Sequence, residues 1–149
     1  HRALDMLIEA IASLDVGAPV HVTLRAHPAE APDVFDARIR ETSHPGFTLK
    51  VDRNPNRIAS IQNAHIVLGI VSMIMVEAQW MGRPALSLQP GQALAPDLLT
   101  LHDIEVASDP AALRGALQVC LKESWRPPPA PRPALPRWIS AIDGLNQRA

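Results

Sequence analysis

The sequence of 149 residues predicts an α/β fold: a parallel sheet of about five strands with helices on both faces. Three observations carry this expectation. Short β-rich runs alternate with helical periodicities, the connections between them are short, and at least two runs are continuously apolar, as strands covered on both faces are.

In residues 1–14, Leu4, Leu7, Ile8, Ile11 and Leu14 recur at helical spacing, and Gly17 and Pro19 close this amphipathic helix. Residues 20–25 (V-H-V-T-L-R) form a first strand, ended by the turn chemistry of Ala26-His27-Pro28. Residues 30–42 are charged and weakly periodic, a solvated helix. His44-Pro45-Gly46 breaks the chain before a second strand over 47–51. Pro55 opens a brief helix that carries Ile58 and Ile61 and runs to about Asn63. A third strand, H-I-V-L-G-I over 65–70, leads into a helix over 72–81 that is apolar except for Ser72, Glu77 and Gln79. This helix is expected to be largely buried, its Met and Trp residues core. Gly82-Arg83-Pro84 ends it. A fourth strand spans 84–88 and a fifth 104–107. Over 109–121, Asp109 is an N-cap, Pro110 takes the first helical position, and Leu113, Leu117 and Leu121 share one face.

The organisation is thus a Rossmann-like domain over 1–125, a stiff Pro-rich connector over 126–136, and an amphipathic C-terminal helix over 137–149 bearing Trp138, Ile139, Ile142 and Leu145.

Composition narrows the function classes. Fourteen basic and fifteen acidic residues leave a net charge of −1, so no global field draws in nucleic acid and any polyanion site must be local. A hydrophobic content of 47% with mean hydropathy near zero argues against both a disordered chain and a membrane protein. No apolar run is long enough for a transmembrane segment. The single Cys120 removes a disulfide framework and multi-cysteine zinc patterns, and nothing resembles a signal peptide. A cytoplasmic protein is expected, with peripheral membrane attachment left open for a longer polypeptide. His1 already lies inside a helical pattern, so the chain is expected to be a piece of something larger.

Ligands of open α/β sheets bind at the carboxyl ends of the strands, where helix N-termini point. Three loops qualify: Arg25-Ala26-His27-Pro28, Gly69-Ile70-Val71-Ser72 and Gln89-Pro90-Gly91-Gln92. In the second, Gly69 permits close backbone approach. Ser72 caps the following helix, leaving the N–H groups of Met73 and Ile74 to attract a phosphate; the plainer reading of Ser72 is an N-cap and nothing more. A capping box would place an acid three residues after the cap, but Met75 stands there, so Glu77 has another cause. A carboxylate on so apolar a helix faces a cleft or a partner. A sugar hydroxyl pair would suit it, and so would an ion pair with Arg83 or Arg53. His27, with Arg25 two residues earlier, can meet a phosphate or be simply hydrogen-bonded. His44 belongs to a loop, and His21, His65 and His102 lack the spacing of a metal site. G-x-G-x-x-G, G-x-x-x-x-G-K-[ST] and G-x-S-x-G are all absent.

The succession R-A-H-P (25–28), the strand over 47–51 and N-A-H-I-V-L-G-I-V-S-M-I-M-V-E-A-Q-W-M-G-R-P-A-L-S-L-Q-P (63–90) resembles the C-terminal domain of GT-B glycosyltransferases. The likeness, over about residues 18–121, is to bacterial surface-polysaccharide transferases and to non-hydrolysing UDP-N-acetylglucosamine 2-epimerases. Its most specific part is A-D-x-V-x-G-x-x-S-x-x-x-x-E-A-x-x-x-G-x-P, with His65 here in place of the aspartate. The resemblance implies a nucleotide-sugar partner, with Gly69, Ser72 and Met73 at the phosphate and Glu77 on the ribose. It places His27 as the group stabilising the leaving phosphate and Gln89 near the sugar or phosphate; Arg25 is the substrate-binding partner that the residues beside His27 suggest. It implies no cofactor and no metal, and an N-terminal domain of the same polypeptide without which the chain is nearly inactive. Two alternatives stand beside it: half of a sugar-nucleotide 2-epimerase, and a non-catalytic Rossmann-like interaction module that docks through the Trp138 helix.

Overall fold

The computed structural model describes residues 2–27, 30–31, 33–91 and 97–122. The expected connector and Trp138 helix, together with Pro28 and Gln92, lie outside them. The chain runs α1 (Arg2–Ala12), β1 (Val20–Leu24), α2 (Asp36–Glu41), β2 (Phe47–Val51), α3 (Arg57–Asn63), β3 (Val67–Gly69), α4 (Met73–Trp80), β4 (Ala85–Leu88), α5 (Asp97–Leu101), β5 (Glu105–Ala107) and α6 (Pro110–Lys122). Every ladder between these strands is parallel, so the α/β class with parallel strands holds.

The strands form two sheets rather than one of five, with orders β1-β2 and β3-β4-β5. β3, three residues long, is an edge strand that pairs only with β4 among the described residues. Side chains join the sheets instead. One apolar cluster holds Leu24 and Phe47 of the first sheet, Leu86, Leu88 and Ala107 of the second, Leu4, Leu7 and Ile11 of α1, and Leu113 and Leu117 of α6.

Among the described residues, helices cover both faces of the three-stranded sheet only. All four residues of β4 are buried, and their alternation sends Leu86 and Leu88 to α1 and α6. Ala85 packs the other way, against Met75 and Val76 of α4, Leu99 of α5 and Ile104. The two-stranded sheet is covered on one face. Val20, Val22, Leu24, Phe47 and Leu49 join the core, whereas His21 pairs with Thr48, and Thr23 with Lys50, on an exposed polar face. This corrects the expectation of helices on both sides throughout.

Several elements follow their sequence signals closely. Helix α1 buries Leu4, Leu7 and Ile11 with Met6 and Ala10 between them, and Gly17 beyond its end takes a positive φ of 72° that favours glycine. Asp109 caps α6, its Oδ1 accepting from the Ala112 N–H at 2.9 Å, and Leu113 and Leu117 are buried below. The charged stretch over 30–42 yields only the six residues of α2. The third strand is half-buried rather than covered on both faces, because it stands at the edge of its sheet. Helix α4 is core on one side only: Met75 is fully buried, whereas Met73 and Trp80 are 50% and 70% exposed. They project away from the apolar cluster that packs α4 against the sheet, so treating every Met and Trp here as core overstates the burial. Helix α5 carries no sequence signal, because five residues are too short to display a period.

Candidate functional site

At the carboxyl end of β3 the chain turns through Ile70 and Val71 to Ser72, whose extended backbone and side chain cap α4. The Ser72 Oγ accepts from the Ile74 N–H at 3.4 Å. Met73 begins the helix, so its N–H has no intrahelical acceptor. Packing leaves little room at Gly69: a Cβ there would stand 3.0 Å from the Met75 Sδ. The close approach that this glycine permits is that of α4 itself.

The turn is fixed from β4. Ser87 and Gln89, two positions apart and therefore on one side of the strand, both donate to the Ile70 carbonyl, Gln89 through Nε2 at 2.8 Å. Gln89 Nε2 also donates to the Ser87 Oγ at 3.1 Å, and both side chains are buried. The structure thus places Gln89 beneath the loop, holding its backbone. Alternating polar residues inside the apolar run A-L-S-L-Q are the sequence signal for this role.

Glu77, one turn into α4, is held by an arginine other than Arg83 and Arg53. Arg57, the first residue of α3, donates from Nε to Oε2 at 2.9 Å and from Nη2 to Oε1 at 2.8 Å. The carboxylate raises the Arg57 pKa through these hydrogen bonds and its charge. The Arg57 side chain is 58% exposed and that of Glu77 20%. The arginines suggested by sequence go elsewhere: Arg83 donates from Nη2 to the Gln62 carbonyl, and Arg53 lies 3.9 Å from Asp36. Contacts from Arg57 to Glu77 and from Gln62 to Arg83 set α3 and α4 side by side, running in the same sense.

Arg25, just past β1, reaches the carboxyl end of β2. Its Nη1 donates to Asp52 Oδ2 at 2.6 Å and to the Asn54 carbonyl at 3.0 Å, and stands 3.5 Å from the Ser60 Oγ of α3. Asp52 Oδ1 accepts from the Asn54 N–H, Asn54 Oδ1 from the Asn56 N–H, and Asn56 Oδ1 from Ile58 and Ala59 in the first turn of α3. This relay of Asx turns fixes where α3 begins, and so where Arg57 stands. Burial is the largest influence on Asp52 and raises its pKa. Hydrogen bonds from Ser60, the Asn54 backbone and Arg25, with the arginine's charge, outweigh it and leave the carboxyl below its ordinary value.

His27 is exposed at the end of β1. Its N–H donates to Glu30 Oε2 at 2.7 Å and its carbonyl accepts from the Glu30 N–H at 2.8 Å. The spacing H-P-x-E is half of a capping box, which the sequence carried in plain view.

Helix α3 is therefore the meeting point of the site: Arg25 of the first sheet touches its Ser60, and its Arg57 holds Glu77 of α4. Among the described residues, no group of three or more His, Cys, Asp or Glu side chains is placed to hold a metal ion, and no helix is long and apolar enough to cross a membrane. A shallow hollow lined by Gly115, Gln118, Val119 and Lys122 involves α6 alone. The fold and this loop cluster define the class, an α/β protein with parallel strands. Compared with family models, curated proteins and solved structures, the chain finds no match.

Proposed function

We propose that the chain is the nucleotide-sugar-binding half of a GT-B glycosyltransferase that builds bacterial surface polysaccharide, nearly inactive without its N-terminal domain. The observation that carries this reading is the β3–α4 junction: a helix capped by Ser72 with Glu77 one turn above the cap and partly open to solvent. Such a helix start attracts a phosphate through its unpaired N–H groups and its dipole, and a carboxylate one turn higher suits the two hydroxyls of a ribose. His27, exposed beyond β1 with Arg25 beside it in sequence, is the group that would stabilise the departing phosphate. Gln89 supports the loop from below. A cytoplasmic location, where a lone cysteine stays reduced, goes with this reading. A 2-epimerase half would use the same donor site.

A second reading, a non-catalytic interaction module, is favoured by two observations. Glu77 already has a partner in Arg57, and the junction exposes Ile70, Val71 and Met73 at 57%, 46% and 50%. Thermal unfolding with millimolar UDP, CMP or CDP separates the two. A ligand at 100 times its Kd adds about 2.7 kcal/mol of stability, so the donor reading expects a clear rise in Tm with one of them. Glu77→Gln and His27→Ala should each diminish that rise. No response to any of the three overturns the donor reading and leaves the interaction module.

A further inference from the structure

We propose that Arg57 is a ligand-binding residue, exchanging Glu77 for the phosphate of a nucleotide when the carboxylate turns to the ribose. The inference rests on the donor reading above and names a group that the family resemblance does not supply.

The geometry of the pair carries it. Arg57 uses only one edge of its guanidinium, Nε and Nη2, on Glu77. Arginine has five N–H donors in a fixed fork, so three remain, on a side chain that is 58% exposed. The Asp52–Asn54–Asn56 relay fixes the start of α3, so the arginine is delivered from a set backbone beside the first turns of α4. Together the two side chains offer a two-pronged donor and a two-pronged acceptor. A nucleotide presents the complement of both: a vicinal diol that donates to a carboxylate and a phosphate that accepts from a guanidinium. An ion pair this open to water is weak, so exchanging it for two such contacts costs little. No bond is made or broken covalently, and each charge keeps a partner of opposite sign or a hydroxyl pair.

The test is calorimetric titration of the full chain with UDP, CMP and CDP and with uridine and cytidine, for wild type, Arg57→Ala, Arg57→Lys and Glu77→Gln. Circular dichroism and Tm confirm that each variant folds. The expected result is that Arg57→Ala weakens nucleotide binding at least tenfold while nucleoside binding is kept, Arg57→Lys recovers part of the loss, and Glu77→Gln weakens both. Wild-type nucleotide affinity in Arg57→Ala overturns the exchange and leaves the donor reading intact. Equal loss of nucleotide and nucleoside in Arg57→Ala overturns the phosphate contact, since the arginine would then act only by positioning Glu77. No binding of any nucleotide by wild type overturns the donor reading and the exchange together.

Discussion

A Cβ placed on Gly69 would stand 3.0 Å from the Sδ and 3.2 Å from the Cγ of Met75. Gly69 ends β3 and Met75 is wholly buried in the first turn of α4, so the missing side chain is what lets the helix close against the strand.

Gly69→Ala should therefore destabilise the protein by about 1–3 kcal/mol, the usual cost of forcing extra volume into a packed core. Met75→Ala removes the obstacle and costs about 2–5 kcal/mol by itself through the cavity it leaves. In that background Gly69→Ala should cost almost nothing, because the added methyl has room. Urea denaturation of the four proteins in the cycle measures this. Strictly additive losses would show that Met75 is not what the glycine accommodates.

The Ile70 carbonyl has two donors, the Ser87 hydroxyl and the Gln89 amide, and either alone can satisfy it. Removing one by alanine leaves the acceptor paired. Removing both strands it against β4, and an unsatisfied acceptor costs about 1–3 kcal/mol. The double variant Ser87→Ala/Gln89→Ala should thus lose more stability than the sum of its singles. Amide exchange in residues 70–72 should quicken only in the double variant. A sum equal to the double would show that the two side chains do not share this carbonyl.

What the sequence made legible was whatever depends on local chemistry. The leucines of α6 and the Asp109 cap announce themselves within one helix, and Met75 in place of an acid three residues after Ser72 shows that Glu77 is no capping residue. The pairing of Glu77 was not legible. Arg53, Arg57 and Arg83 all lie near enough in sequence, and only the packing of α3 beside α4 selects Arg57. The open face of the first sheet is legible in the sequence: V-H-V-T-L alternates with period two, the mark of a strand covered on one side. The structural part played by Gln89 is legible only in combination with Ser87. A polar residue past a strand end invites a ligand, yet here its distance from Ser87 matched the needs of a backbone carbonyl.

Asp52 gives the site a pH dependence whose sign is fixed. Burial raises its pKa most, but the hydrogen bonds of Ser60, the Asn54 backbone and Arg25 together with the arginine's charge bring the net value below the ordinary one. A carboxyl whose pKa is lower folded than unfolded binds fewer protons in the native state near its titration range. Its stabilisation is therefore complete above the unfolded value of about 4 and is lost as pH falls through the folded value. Wild type and Asp52→Asn should differ most in stability at neutral pH, with wild type the more stable, and their curves should converge as pH falls below about 4. Because Asp52 Oδ1 also holds the Asn54 N–H, acid should loosen the start of α3, and exchange at the Ile58 and Ala59 amides should quicken over the same range. Urea denaturation from pH 7 downward measures the first effect and amide exchange the second. A stability gap that stays constant across that range would mean that the carboxyl's charge has no part in holding Arg25, and that the Asn54 contact survives on an amide oxygen alone.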